Sequence, residues 1–344
     1  MTPGRLRRAA GAAGLLAAAL TATPAVPSGP ARPVVATGVP RPLQLAVSGR
    51  SLLVLSPGRH GDVAGELFRV DLDAERPVDL TSQPRVGIPF GDARLAALGS
   101  LAFHPRTREV FLGEENGTRV HRLDDDGRLT LYLTGARRLI GGSALAVDPA
   151  GRLVIVDHVD PLLSRDDESA PPGLEAFRDD EYRGPLVFRL TLDPTLALPR
   201  RLANQVPVFP RGWGGRAGGG LLPRFVSVAA VGDDLVLLAS SGQLYRLWSD
   251  GTLTPFARLP RGQYQRTNMA VAPDGSIWVS GGFWVASVYR VTTDGVVTTV
   301  ADHLADPQGI AVDARGNVYL AESALHRVIR VGGPDMAPHT PPRS

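Results

Sequence analysis

The sequence predicts an all-β chain folded as a β-propeller of six blades. Three observations carry that reading. One short strand-rich unit recurs along the chain, its clearest copies are about 42 residues apart, and the start of the repeat region reads as the strand missing from the last copy.

The clearest copy runs Pro307-Gln308-Gly309-Ile310-Ala311-Val312, then Gly316-Asn317-Val318-Tyr319-Leu320-Ala321-Glu322, then His326-Arg327-Val328-Ile329-Arg330-Val331. It is a short apolar strand, a glycine turn, a second strand, a loop and a third strand, with strands of about five residues. The unit returns at Asn268–Val279, Ser143–Asp157 and Ser100–Glu114, and more weakly from Leu45 and from Phe225. The anchors Val47, Phe103, Val147, Ala229, Val271 and Val312 lie 56, 44, 82, 42 and 41 residues apart. The interval of 82 leaves room for a seventh blade. Six is the better count, because Gly184–Leu190 reads as a third strand without a first-strand pair of its own, which makes the excess an insertion.

Ala36–Val47 aligns without a gap on Ala301–Val312, so the strand near Val34–Ala36 takes the outermost position. The last blade has three strands of its own. The N-terminal strand is expected to complete it and remove an open edge. The expected organisation is a signal peptide over 1–25, one propeller domain over 26–335, and a disordered tail over 336–344. The propeller carries a charged insertion at 158–183 and a glycine-rich connection between blades at 207–222.

Composition narrows the chemistry. The 344 residues contain no cysteine, and all 37 basic residues are arginine. That excludes thiol catalysis, disulfides and cysteine zinc sites, and also a Schiff-base or phosphate-loop lysine. Arg5, Arg7 and Arg8, the apolar run Ala9–Leu20 and the small residues before a cut after Ala25 read as a secretory signal. The chain is expected to be bacterial and to be secreted or periplasmic. The residues after Arg7-Arg8 lack the twin-arginine pattern, so the general secretory route is expected. Those three arginines account for the whole net charge of +3; the rest balances, so nucleic acid is not an expected partner. No integral membrane segment is read in the mature chain, which is expected to be a monomer.

The units, above all Pro307–Val331, resemble the NHL-repeat and SMP-30/gluconolactonase group of propellers. The resemblance covers residues 32 to 331 and implies a six-bladed scaffold shared by binding proteins, lactonases and lyases. It also implies where to look for a metal. In SMP-30 lactonases Glu, Asn and Asp side chains just before the innermost strands hold a divalent cation. The aligned positions here are Leu43, Gly99, Ser143, Phe225, Thr267 and Gln308, none a carboxylate or asparagine, with Asn268 one position away. A lactonase-type centre is therefore not expected.

On a propeller, the loops joining second to third strands and those joining consecutive blades share one face, the expected ligand face. Glu114, Asp157 and Glu322 end second strands there. They read either as an acidic ring for a cation such as calcium or for acid–base work, or as structural acids, since Arg119 and Arg327 follow Glu114 and Glu322 by five residues. His158 and His326 read as general bases or as surface histidines. Trp213, in the glycine-rich connection, and Trp284 are candidate stacking aromatics. The insertion reads as a lid or a solvated loop. No Gly-x-Ser-x-Gly or His-Glu-x-x-His motif is present. The expected function is binding of a small molecule, glycan or protein on this face, with a lactonase-like hydrolase or lyase, metal-assisted or not, as the alternative.

Overall fold

The computed structural model describes residues 32–58, 63–75, 77–89, 97–115, 117–136, 145–157, 185–209 and 223–336. These form six antiparallel sheets arranged as the blades of a propeller. The expected signal peptide, the 158–183 insertion, His158 and Trp213 lie outside the described residues, as does the tail beyond Met336.

Blade 1 runs Gln44–Ser48, Ser51–Ser56, Val63–Asp71 and Arg85–Pro89 from inside to outside. Blade 2 is Ala97–Phe103, Val110–Glu115, Val120–Leu123 and Leu129–Thr134. Blade 3 is Leu145–Val147, Arg152–Asp157 and Leu186–Thr191, so the strand after the long interval is the third strand of an existing blade. Blade 4 is Phe225–Val231, Asp234–Ala239, Gln243–Leu247 and Leu253–Arg258. Blade 5 is Met269–Val271, Ile277–Ser280, Val288–Val291 and Val297–Ala301. Blade 6 is Pro307–Val312, Val318–Glu322 and Arg327–Gly332, completed by Val34–Thr37, which pairs antiparallel with its third strand. The innermost strands touch in the order 1-2-3-4-5-6-1, so the ring is closed and blades 2 and 5 stand opposite each other.

The core follows from this arrangement. A sheet with two apolar faces must cover both, and each blade does so against its neighbours. Among the described residues the buried apolar side chains fall into six clusters, each astride one interface between blades. Leu53, Leu55, Leu98 and Leu112 join blades 1 and 2, and Leu52, Val54, Ala311 and Val328 join blades 6 and 1. The turns between first and second strands in blades 3, 5 and 6 close on Gly151, Gly275 and Gly316 at φ of 82°, 81° and 83°, where a side chain would be strained.

Two blades lend a strand to the one before. Val78–Asp79, from the link between the third and fourth strands of blade 1, pairs parallel with Ala36–Thr37 on the outer edge of blade 6. Arg200–Arg201, following the third strand of blade 3, pairs parallel with Leu133–Thr134 on the outer edge of blade 2. Each covers part of an edge that would otherwise present free backbone groups.

Candidate functional site

Each innermost strand starts on the face where the blade-to-blade connections arrive, and each second strand ends there. Glu114, Asp157 and Glu322 all reach this face, at matching ends of second strands, and all are buried. The arginine partners of Glu114 and Glu322 are local. The Glu114 carboxylate accepts from Arg119 Nε at 2.8 Å and lies 3.3 Å from His121 Nε2. Glu322 Oε2 accepts from Arg327 Nε and Nη2, each at 2.6 Å, and Oε1 accepts from the backbone N–H of Ala305 at 3.0 Å. The five-residue acid-to-arginine spacing is thus a staple. In blade 6 it also fixes the incoming connection.

His326 is exposed and left-handed, with φ 53°. Its Nδ1 accepts from the backbone N–H of Arg41 at 2.9 Å. That hydrogen bond engages Nδ1 in holding the connection into blade 1.

The centre of the ring is lined by neutral amides and hydroxyls. Gln44, Ser100, Asn268 and Gln308 are buried polar side chains on or beside innermost strands. Gln44, Ser100 and Asn268 stand one residue beyond the aligned positions Leu43, Gly99 and Thr267. Asn268 Nδ2 donates to Gln44 Oε1, a contact from blade 5 past blade 6 to blade 1. Ser280 Oγ, which donates to the Gln308 carbonyl, accepts from the Asn268 N–H at 2.8 Å. Gln308 Nε2 donates to Asp306 Oδ2 at 2.8 Å. A hard cation wants several charged oxygens, and this donor set does not supply them. Among the described residues no three His, Asp or Glu side chains gather as a cation cage. The central residues therefore do not fit a lactonase-type metal.

Above this floor lies a contact that the repeat pattern did not indicate. Arg266 Nε and Nη2 donate to Glu115 Oε1 and Oε2 at 3.1 and 3.3 Å. Glu115 ends the second strand of blade 2, and Arg266 sits in the connection entering blade 5. Because those blades are opposite, the pair crosses the mouth of the ring. Gly99, at an irregularity between Leu98 and Ser100, makes room for it: a Cβ there would stand 2.7 Å from Glu115 Cβ.

Arg266 is also left-handed, at φ 52°. Of the six non-glycine residues in that region among those described, Arg41, Arg266, His303, Asp306 and His326 lie on this face, and only Arg108 lies on the other. Each of the three successive connections into blades 5, 6 and 1 carries at least one. Such backbone costs about 1 kcal/mol or more per residue, and it gathers where side chains must be aimed rather than packed.

Beside Arg266 stands an aromatic platform. Phe283 and Trp284 are 48% and 61% exposed, with ring centroids 4.6 Å apart and planes at 89°. Their loop is pinned by backbone hydrogen bonds, Gly281 N to Ser287 O at 2.8 Å, Gly282 N to Pro307 O at 2.8 Å and Phe283 N to Gln265 O at 3.0 Å. A Cβ at Gly281 or Gly282 would run into backbone, so the tight loop depends on both glycines. Trp284 was legible as a loop-face aromatic; Phe283, Glu115 and Arg266 were not singled out.

Two cavities, of about 580 and 480 Å³, lie on the opposite face, flanking the Asp313–Asn317 turn. The larger is polar but self-satisfied. Asp313 accepts from Arg315 N, Asn317 N, Asn317 Nδ2 and Tyr319 Oη at 2.8 to 3.0 Å, and Asp73 pairs with Arg50 and lies 3.7 Å from Arg315. Size alone does not make it the site. The exposed aromatics and the cross-ring ion pair favour the loop face.

No protein-family model matches the chain, and no curated protein matches it. Its fold is shared by many solved structures. A gluconolactonase from Xanthomonas campestris, XC5397, is 17% identical with a TM-score of 0.53, over 87% of each chain. Virginiamycin B lyase from Staphylococcus aureus is 13% identical with a TM-score of 0.51, over 86% of this chain and 82% of that one. The PQQ-bound aldose sugar dehydrogenase from Streptomyces coelicolor is 15% identical with a TM-score of 0.50, over 86% and 95%. The chain shares its propeller fold with these proteins. A lactonase, a lyase and a dehydrogenase on one architecture leave function to the site.

Proposed function

We propose that the protein is an exported propeller that binds a small molecule or glycan on its loop face, over the mouth of the ring. The observation that carries this reading is the Phe283–Trp284 pair. Two large adjacent aromatics on a pinned loop leave about half or more of their surface in water, and a ring stacked on them would cover it. Rigid aromatic faces lose little entropy on binding, which suits saccharides and planar organic molecules. Export is supported by the basic, apolar and small-residue order of residues 1–25.

The alternative, a lactonase-like hydrolase or lyase, draws support from fold likeness alone. Of the three acids read for such a role, Glu114 and Glu322 are engaged by arginines, and Asp157 is fully buried.

Tryptophan fluorescence of the mature chain, titrated with a panel of mono- and oligosaccharides and of lactones, tests both readings. Binding without turnover is expected, and Phe283→Ala/Trp284→Ala should weaken it about tenfold or more at an unchanged melting temperature. If the double variant binds as the parent does, the platform is not the site. Lactone turnover retained in that variant would favour the enzyme. Recovery of protein beginning at Val26 from outside the cytoplasm tests export.

A further inference from the structure

We infer that Arg266 is a carboxylate receptor, and that the ligand of the loop face is an acidic ring compound such as a sugar acid. Its carboxylate takes the place of the Glu115 carboxylate while its ring lies on Trp284. The inference rests on the proposed loop-face site and names the class of its ligand.

Three ion pairs on this face can be compared. Glu322–Arg327 closes at 2.6 Å and Glu114–Arg119 at 2.8 Å, both within one blade, both with the acid nearly out of contact with water. Charge-assisted hydrogen bonds are usually about 2.7–2.9 Å. Glu115–Arg266, at 3.1 and 3.3 Å, is looser, and its partners are 14% and 35% exposed. It joins opposite blades, which have no shared sheet or apolar cluster, so neither blade needs it for packing.

The geometry is that of recognition. Arg266 offers the edge formed by Nε and Nη2, two parallel donors that meet both oxygens of one planar carboxylate. A carboxylate already occupies that edge, so the edge is shown to accept one. The left-handed backbone of Arg266 directs its side chain over the axis, and Gln265, the residue before it, holds the aromatic loop through Phe283 N. An anion seat and a stacking platform are therefore built on one short stretch of chain. Beneath them, Asn268, Gln44 and Gln308 make a buried, hydrogen-bonded floor of neutral amides. A cationic edge and an aromatic wall over that floor together describe a site for a ring compound bearing one carboxylate.

The test uses the two partners of the pair against each other. Binding of D-glucuronate, D-galacturonate and D-mannuronate, with D-glucose as the neutral control, is measured on the mature chain by calorimetry. At least one acid should bind, and D-glucose should bind about tenfold more weakly or not at all. Arg266→Gln should weaken acid binding about 10- to 100-fold, the usual worth of a charged hydrogen-bonded pair. Glu115→Gln should tighten it about threefold or more, because the competing anion is gone. A merely structural pair predicts the reverse for Glu115: both substitutions would lower the melting temperature and neither would tighten binding. Weaker acid binding in Glu115→Gln overturns the inference, as does the absence of binding by any of the three acids to either parent or Glu115→Gln. Equal binding of D-glucose and the acids, lost in Trp284→Ala, would overturn the anion seat and leave the loop-face site standing. Unchanged binding in Phe283→Ala/Trp284→Ala would overturn that site itself.

Discussion

Gly309 and Gln44 bring two blades together backbone to backbone. A Cβ on Gly309 would stand 2.8 Å from Gln44 Cα and 2.9 Å from Leu45 N, closer than a packed carbon tolerates. This is the seam where blade 6 meets blade 1, and backbone cannot swing aside as a side chain can. Gly309→Ala is expected to destabilise the chain by about 2 kcal/mol or more through overpacking. Gly316 offers the contrast. It has φ +83°, but a Cβ there would meet nothing within 4 Å, so Gly316→Ala should cost about 1 kcal/mol, from backbone strain alone. Denaturant midpoints of the two variants check the order.

The same seam shows what a sequence of repeats makes legible. Pro307–Val331 announces its strands because alternation, glycine turns and apolar first strands are local, and each blade repeats them. The N-terminal strand was legible because Ala36–Val47 repeats Ala301–Val312. The site was not legible in the same way. Glu114 and Glu322 stood out because they occupy one repeat position, and the residues that recur in every blade tend to be those that hold a blade together. Glu115 and Arg266 share no repeat position, and 151 residues separate them. They meet only because ring closure sets blade 2 opposite blade 5. A partial signal existed at Phe283-Trp284: two adjacent aromatics behind two glycines, in a loop between second and third strands.

Glu322 is expected to matter for stability first. It is 2% exposed and joins the corner at Arg327 to the incoming backbone at Ala305. Glu322→Ala strands a part-buried N–H and an arginine together, a loss of about 2 kcal/mol. Glu322→Gln keeps the acceptor for Ala305 and should cost less than half as much. Melting temperatures of the two variants, read beside ligand binding, test this. A loss of binding by Glu322→Gln at an unchanged melting temperature would instead make Glu322 part of the site.

Asp313 should give the chain an acid-sensitive seam. Burial pushes its carboxyl up. Hydrogen bonds from the Asn317 side chain and N–H, from Tyr319 and from Arg315 N more than offset this, so the folded value lies below the usual range. The same contact, with burial, raises the Tyr319 hydroxyl to about 12. A depressed folded value means stability that is present above the unfolded value, about 3.9, and is lost as pH falls through the folded one. Asp313→Asn should therefore cost about 1–2 kcal/mol at neutral pH. The gap from the parent should narrow below about pH 4. Urea midpoints at neutral and acid pH measure it; a gap that stays constant across that range would show that the ionised form is not what stabilises the turn.

Ring closure makes the last blade depend on the first strand. Val34, Ala36 and Thr37 pair with Ile329, Val328 and Arg327, and Pro33 accepts from the Arg330 N–H at 2.9 Å. Ala36 is fully buried in the cluster that joins blades 6 and 1, and Thr37 in turn accepts from Leu80 N at 2.9 Å. A chain beginning at Gly38 would lose all of this and present the free edge of Arg327–Gly332, which is a template for pairing with another chain. Such a truncation should unfold at a lower denaturant concentration and associate further with itself, whereas Val34→Ala should keep the parent's association state with a loss of about 1 kcal/mol. Size-exclusion chromatography and denaturation distinguish the two effects. A synthetic peptide spanning Arg32–Pro40, added to the truncated chain, should bind the free edge and restore the parent's association state. A truncated chain with the parent's association state and midpoint would mean that blade 6 closes on its own three strands and its contacts with blade 5.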